Sequence, residues 1–395
     1  MNANRLPYTQ QWNLTIEHQF PKDLFFSVGY VGNKGTRLLS NIAPLNAIDP
    51  KYLSMGQQLN DTFGSTDTVV DGVPAPYPGW ADQLNNAGTC PASVAQALLP
   101  YPQYCSSLSG LNENEGNSTF NSLQAKFEKR FSGGTYLLAS YTFSKLISSS
   151  DSVQETAPVG ANPGTRGVSP FQQWRNKGLS FSDVPHTLSI AAVYDLPMGK
   201  GRRFLNSGGP LNAIVGGWSL SSTFHITSGT PLWFRAGNCI IPGQFQMGCF
   251  PAILPGANPW FGQGKSHFNP YDFSRCATGS NPGDSCAQLF NVNSFEPAGL
   301  FNNFYAGTGP RITTVRGFGY KDQDVSLTKD IRIGERVKVE LSGDFFNVWN
   351  AHFFTNPGSG GSTGFVNDIS SQYFGTWDGS VSDPRNGQVS LRISF

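Results

Sequence analysis

Arg385-Asn-Gly-Gln-Val-Ser-Leu-Arg-Ile-Ser-Phe395, the closing stretch of the chain, decides the fold. From Val389 onward, apolar and polar residues alternate. Successive side chains of a strand point to opposite faces. Val389, Leu391, Ile393 and Phe395 therefore share one face, and Gln388, Ser390, Arg392 and Ser394 share the other. A wall with oil on one side and water on the other needs this pattern.

The alternation recurs in eight earlier segments. Trp12, Leu14, Ile16, His18 and Phe20 oppose Gln11, Asn13, Thr15, Glu17 and Gln19. Leu24, Phe26, Val28 and Tyr30 follow on one face. Leu123, Ala125, Phe127 and Phe131 oppose Ser122, Gln124, Lys126, Glu128 and Arg130, with Lys129 alone breaking the apolar row. The fourth to sixth segments carry Leu137 to Phe143, Leu188 to Tyr194 and Trp218 to Ile226. Asp324–Ile331 presents Val325, Leu327 and Ile331. Arg336–Phe346 sets Val337, Val339, Leu341 and Phe345 against Lys338, Glu340, Ser342 and Asp344. Period two over about eight to eleven residues predicts tilted strands of membrane-spanning length. The apolar positions do not recur at i, i+3 and i+4, so helices are excluded.

A soluble β-sandwich with one wetted face per sheet explains the alternation equally well, but not the connections. Pro21-Lys-Asp23, Ser132-Gly-Gly134 and Arg332-Ile-Gly-Glu335 are tight turns. Long connections run over about 32–119, 145–184, 228–323 and 347–384, and a moderate one over about 195–215 holds Gly199-Lys-Gly-Arg-Arg203. Compact soluble domains rarely tolerate structureless connections beyond about fifteen residues. Short turns on one side and long loops on the other mark a transmembrane barrel. The expected fold is all-β, an antiparallel transmembrane β-barrel with long outer loops. Nine strands is an odd number, whereas single-chain bacterial barrels are even and closed. The chain is therefore expected to be the C-terminal portion of a larger barrel, unless further strands lie inside the long connections, where Pro231–Phe234 and Ser371–Trp377 are the candidates.

Composition removes several other classes. Charged residues are only 13% of 395, about half the usual share. The formal net charge is +1 and no basic stripe stands out, which argues against nucleic acid. Thirty Phe, 13 Tyr and 8 Trp argue against disorder. No window of about twenty apolar residues offers a transmembrane helix. The opening MNANRLPYTQQWN has no apolar h-region of a secretory signal. Cys90 and Cys105, Cys239 and Cys249, and Cys276 and Cys286 form three local couples, all in the long connections. Their even number and Gly/Pro/Asn-rich settings favour loop disulfides in an oxidising compartment, with reduced thiols as the competing state. Zinc fits poorly without a tight CxxC. The five histidines show no metal spacing, and neither GxSxG nor a phosphate loop is present, so no catalytic, cofactor or metal residue is assigned. Asp322 and Asp324 match no defined calcium loop.

Several stretches, taken in order, resemble the barrel of TonB-dependent outer-membrane receptors, and most closely their Oar-like branch, which carries a carboxypeptidase-regulatory-like domain. They include Leu6-Pro-Tyr-Thr-Gln-Gln-Trp-Asn-Leu-Thr-Ile16, Val28-Gly-Tyr-Val-Gly-Asn-Lys-Gly-Thr36 and Phe120-Asn-Ser-Leu-Gln-Ala-Lys-Phe-Glu-Lys-Arg-Phe131. Gly178-Leu-Ser-Phe-Ser-Asp183, Pro185-His-Thr-Leu188, Gly217-Trp-Ser-Leu220, Phe345-Phe-Asn-Val-Trp-Asn350 and terminal Phe395 continue the series. The resemblance implies a Gram-negative outer-membrane location, a complete barrel of about 22 strands and import of a bulky solute of unknown identity. It implies contact with outer-membrane lipid and with the barrel assembly machinery, and with TonB only through an N-terminal plug, which these residues do not contain. A passive adhesin-like or porin-like barrel is the alternative.

Roles for individual residues follow from that frame. Leu391, Ile393 and Phe395 resemble the signal read during outer-membrane insertion. Glu17, Lys126, Glu128, Arg130, Lys338, Glu340, Asp344 and Arg392 form a candidate lumenal wall, with Glu340 and Arg392 as an example of an ion pair across neighbouring strands. Trp12, Tyr30, Tyr141, Tyr194 and Trp218 are candidates for interfacial girdles. Lys129 and Lys329 break the apolar face where long stems can reach water. Trp80, Tyr101, Tyr104, Trp174, Trp260 and Tyr305 are the candidate ligand-gripping aromatics of the long loops.

Overall fold

Nine long strands follow one another in sequence and in space in the computed structural model of the protein. It describes all residues except 1–4, 41–44, 89, 106–107, 109–113, 152–169, 207–208, 238, 240–248, 277–278, 280–285, 306, 334–335, 355–364 and 378–380. The strands are β1 (Tyr8–Phe20), β2 (Leu24–Leu38), β3 (Gly116–Ser132), β4 (Thr135–Ser148), β5 (His186–Asp195), β6 (Trp218–Thr227), β7 (Tyr320–Ile333), β8 (Val337–Phe346) and β9 (Asn386–Ser394). Each pairs antiparallel with its neighbour in order. A two-residue piece, Gly178–Leu179, adds to the end of β4. Among the described residues, β1 pairs only with β2 and β9 only with β8, so the sheet is open at both long edges.

Register carries the alternation across the whole sheet. Ile16, Val28, Ala125, Tyr141, Leu188 and Ile226 stand opposite one another in a single row. A lower row runs Trp218, Lys329, Leu341, Leu391. On the other face the matching row is Glu17, Ser27, Lys126, Ser140, Ser189, His225, Asp322. A one-residue slip in any strand would exchange its faces, so this register is strongly specified. Several strands run further than their alternation. β2 continues to Leu38 and β3 begins at Gly116. There, residues such as Lys34 and Thr119 are polar on the otherwise apolar face, so the period-two signal fades while the ladder continues. At Gly32 the apolar face closes on itself. A Cβ there would fall 2.2 Å from the Trp12 ring, which lies across the strand.

The hydrophobic core is elsewhere. Its buried members come from the connections, and among the described residues none of the nine strands contributes. Ile48, Leu59, Phe63, Trp80 and Leu84 come from the first long connection, Phe234, Phe268, Phe290, Phe295 and Phe301 from the third, and Phe365, Phe374 and Trp377 from the fourth. The Phe234 ring lies 4.6 Å from Phe295, 5.1 Å from Phe290 and 5.9 Å from Phe365. Each such side chain, fully buried, contributes roughly 1.5–3 kcal/mol. Helices α1 (Trp80–Ala87) and α2 (Val94–Ala97) line this cap, and Trp80, Leu84 and Val94 face its core. The runs Pro231–Phe234 and Ser371–Trp377 are cap segments, with Leu232, Phe234, Phe374 and Trp377 buried. The long connections thus pack together into one core. The core residues are scattered over three connections and have no local period, so sequence alone does not reveal that they meet.

The apolar face of the sheet, by contrast, is uncovered. Val389 is 80% exposed, and Leu14, Ile16, Leu391 and Ile393 are likewise exposed. A sandwich would bury this face against a second sheet about 10 Å away. The cap lies on the long-connection side, and among the described residues the second sheet is a two-residue hairpin, Val69–Val70 with Val73–Pro74, too small to cover the face, so the soluble sandwich fails.

Cap and sheet are joined by buried ion pairs that the sequence did not suggest. Arg311 meets Asp151 at 3.0 Å with both side chains almost wholly enclosed. Asp151 also accepts from Ser148 Oγ and from Phe181 N. Arg316 meets Asp183, whose other carboxylate oxygen accepts from the Leu146 amide of β4. Glu296 ties the third connection together. Burial alone would raise its pKa, but hydrogen bonds from Ala252 N, the Thr308 hydroxyl, the Tyr305 hydroxyl and Thr308 N outweigh burial and hold it below the ordinary carboxylate value.

Two expected outcomes follow. Asp151→Ala removes a buried carboxylate that Arg311 meets and should cost about 1–3 kcal/mol, read as earlier urea unfolding of the cap and faster proteolysis between β4 and β5. A carboxyl whose folded pKa is depressed contributes its full stability above its unfolded value of about 4.3 and loses it as pH falls through the folded value. Cap protection from proteolysis should therefore fall below about pH 4, and Glu296→Gln should weaken the cap at neutral pH while flattening that acid dependence.

Candidate functional site: a polar wall beneath a disulfide-bonded cap

The candidate wall residues lie on the polar face in two separate groups. Lys126 pairs with Glu128 at 2.9 Å and Arg130 lies 3.7 Å from the same carboxylate. The Lys126 ammonium also sits 5.6 Å above the Phe25 ring, and Glu17 accepts from the Ser27 hydroxyl. Five strands away, Lys338 bridges Asp330 at 3.2 Å and Glu340 at 3.0 Å. Glu340 and Arg392 are direct cross-strand partners in the register, yet the Glu340 carboxylate is bonded to Lys338. The expected Glu340–Arg392 ion pair is corrected accordingly. Lys338 is two residues from Glu340 on the same face and also reaches Asp330, so one cation serves two carboxylates. Asp344 collects hydroxyl and amide donors instead, from Ser326, Ser342 and Gln388. Solvent screening leaves exposed pairs of this kind with little net stability. They hold side chains in place on a wet surface more than they hold the sheet together.

Between these groups, the polar face has a groove of about 230 Å³ lined by Ser140, Ser189, Thr223, His225 and Asp322, among others. Ser189 Oγ and His225 Nδ1 are 2.8 Å apart, and Asp322 stands opposite His225. Three residue types of a hydrolytic triad are thus neighbours, but the serine is on the ring nitrogen that a triad gives to its carboxylate. The row is a polar strip of wall. Asp324 accepts from Asn347 N, and among the described residues no group of three or more metal-ligating side chains occurs.

On the cap, disulfides join Cys90 to Cys105, Cys239 to Cys249 and Cys276 to Cys286. The six candidate aromatics separate. Trp80 is 0% exposed, its indole N–H donating to Pro102 O. It is a core residue and is withdrawn as a gripping side chain. The Gly79–Trp80 turn starts α1 with its apolar face inward, which the Gly/Pro-rich setting hid. Tyr305 is half-buried, with its hydroxyl committed to Glu296 and its pKa raised by burial and by that carboxylate. Trp260 is half-buried against Phe290, with the Lys265 ammonium 5.3 Å above it. Burial lowers the pKa of Lys265, whose Nζ donates to the Arg316 and Gly317 carbonyls. Tyr101, Tyr104 and Trp174 remain exposed. Trp174 lines a cleft of about 420 Å³ with Lys34, Glu115, Thr119, Gln173 and Lys177 at the cap end of β2 to β4. Among the described residues no ring contact joins any two of the six, so no aromatic cage is built.

The apolar face carries the terminal strand's Leu391 and Ile393 next to Leu341 and Val339. Phe395 follows the last paired residue and is fully exposed. Of the two lysines on this face, Lys129 donates to the Ser132 and Thr135 carbonyls of the adjacent turn. Lys329 does not reach water. It is 4% exposed, and its Nζ donates to the Ile214 and Gly216 carbonyls.

The sequence matches the family model described as outer membrane beta barrel domain over residues 1–388. No curated protein matches it. Among solved structures it is similar to P. aeruginosa FpvA bound to heterologous pyoverdines, at 10% identity and a TM-score of 0.37, covering 98% of this chain and 27% of that one. It is also similar to the outer membrane transporter YddB from Escherichia coli, at 9% identity and a TM-score of 0.39, covering 99% of this chain and 33% of that one. The chain thus spans about a quarter to a third of the length of these two proteins. A wall with one apolar and one polar face, together with the match over almost all its residues, makes this an outer-membrane protein. This chain belongs to the outer-membrane β-barrel domain family.

Proposed function

We propose that the chain is a nine-strand wall section of a TonB-dependent outer-membrane importer of the Oar-like branch, closed into a larger barrel by strands outside these residues. The observation that carries this reading is the two-faced sheet with both long edges unpaired among the described residues. An open edge in oil leaves main-chain donors and acceptors without partners, so β1 and β9 call for further strands. In this reading the short turns are periplasmic and the disulfide-bonded cap is extracellular. The apolar face meets lipid, and the polar wall of Glu17, Lys126, Glu128, Arg130, Lys338, Glu340, Asp344 and Arg392 meets a plug. Leu391, Ile393 and Phe395 are the assembly signal. The solute first meets the cap, where Tyr101, Tyr104 and Trp174 offer exposed rings.

Two measurements test the reading. Val28→Arg, on the apolar face between Ile16 and Ala125, should cost about 2–4 kcal/mol in bilayer-embedded protein. Ser27→Arg, one residue away on the polar face, should stay within about 0.5 kcal/mol. Equal effects would sink the lipid-face assignment. The upstream reading frame should encode a plug with a TonB-binding segment in frame. The full product should then take up its solute only while the inner membrane is energised. An in-frame stop directly upstream, or uptake indifferent to a protonophore, would favour the passive barrel.

A further inference from the structure

The connection between β5 and β6 is unlike the other turns at its edge of the sheet. From Leu196 to Gly217 it carries Lys200, Arg202 and Arg203 and no acidic residue. It also contains a short helix, α3 (Pro210–Val215). The side of the sheet on which this helix lies is set by Lys329. That lysine belongs to the apolar face, in the row with Trp218, Leu341 and Leu391. Its Nζ donates to the Ile214 carbonyl at 3.0 Å and to the Gly216 carbonyl. The Trp218 indole N–H donates to the same Ile214 carbonyl at 2.9 Å, and the Lys329 ammonium lies 5.2 Å above the Trp218 ring. The last carbonyls of α3, which have no partner within a helix, are thus satisfied by a cation from the sheet. Gly217 then brings the chain hard against β7. It holds a φ of +74°, and a Cβ there would fall 2.4 Å from the Asp330 carbonyl oxygen. The helix end is pinned over the apolar face, at the turn edge.

What this pinned segment presents away from the sheet is apolar. Ile214 is 69% exposed, Leu205 52% and Phe204 51%. Leu205 also holds a left-handed φ of 52°, a costly conformation for leucine. The Arg203 guanidinium sits 5.3 Å from the Phe204 ring, whereas Arg202 is held by Asp195 at 3.3 Å. Exposed apolar side chains bordered by Lys200 and Arg203, which make no ion pair among the described residues, and continuous with a lipid-facing wall, are the composition of an element that lies in a membrane interface.

We propose that this connection is an interfacial anchor: Phe204, Leu205 and Ile214 enter the acyl boundary of the leaflet at the turn edge, and Lys200 and Arg203 bind the phosphates of its anionic phospholipids. The proposal rests on the assignment of the apolar face to lipid. It adds a contact that a bare wall does not make, because the sheet would be fastened to one leaflet by charge as well as by hydrophobic width.

The test uses the product of the full reading frame, reconstituted in vesicles of phosphatidylcholine with or without phosphatidylglycerol. Leu205→Cys and Ile214→Cys, labelled without reductant by an environment-sensitive fluorophore, report depth, and Leu391→Cys reports the wall. At positions 205 and 214, nitroxide lipids labelled near the headgroup should quench roughly three-fold more than aqueous iodide, as expected of an element seated in the headgroup region. Lys200→Gln with Arg203→Gln should reduce the extra quenching seen with phosphatidylglycerol to the level in phosphatidylcholine alone. Iodide quenching at 205 and 214 with lipid quenching at 391 overturns the anchor and leaves the wall intact. Iodide quenching at all three positions overturns the wall, and the anchor with it. Lipid quenching at 205 and 214 that ignores phosphatidylglycerol overturns the phosphate-binding role of the two cations.

Discussion

Oil offers a peptide group no hydrogen-bond partner, and in the proposed wall the rest of the structure is arranged around that constraint. Inside a bilayer each unpaired N–H or C=O costs several kcal/mol, so strands must pair without gaps. The nine strands do so in strict sequence order, which needs only hairpin-like returns and no crossover. Once the backbone is paired, side chains have two directions left, and the register from Ile16 to Ile226 sends apolar residues one way and polar residues the other. The same constraint makes β1 and β9 the two places where the sheet cannot end in lipid.

Beyond the strand ends, the chain packs as a soluble protein would. The long connections bury Trp80, Phe234, Phe290 and Trp377 in one core, cross-link themselves with three disulfides and fasten to the strand ends through Asp151 and Asp183. A protein with its core beside its sheet, not beneath it, divides the work between two solvents. In the proposed wall the strands are held by lipid and ladder hydrogen bonds, and the cap by packing and enclosed charge. Such a cap holds its exposed rings and clefts on a packed scaffold that loop flexibility would otherwise blur.

Much of the wall was legible in the sequence, because its rule is local. Seven of the nine alternating segments fall inside a strand, and the other two differ from theirs by one residue. The eight polar wall residues follow from parity alone. Parity does not say which neighbour a charge will choose. Glu340 faces Arg392 yet bonds Lys338, whose ammonium Asp330 on the neighbouring strand also holds. The cap was hardly legible. Trp80 reads as an exposed aromatic in a Gly/Pro-rich loop, and only contacts with residues far along the chain make it a core residue. Lys329 reads as a lysine stretching toward water, and only α3, more than a hundred residues earlier, provides the carbonyls that enclose it.

The sequence by itself determined the number of strands, their faces and the side of the sheet on which the cysteines lie, since alternation and turn length depend on residues adjacent in the chain. Tertiary structure alone decided that the long connections share a core, that Arg311 and Arg316 find buried carboxylates, and that α3 rests on the apolar face. Those outcomes depend on which distant segments come within a few ångströms of one another, and on burial, which has no period that a linear reading can detect.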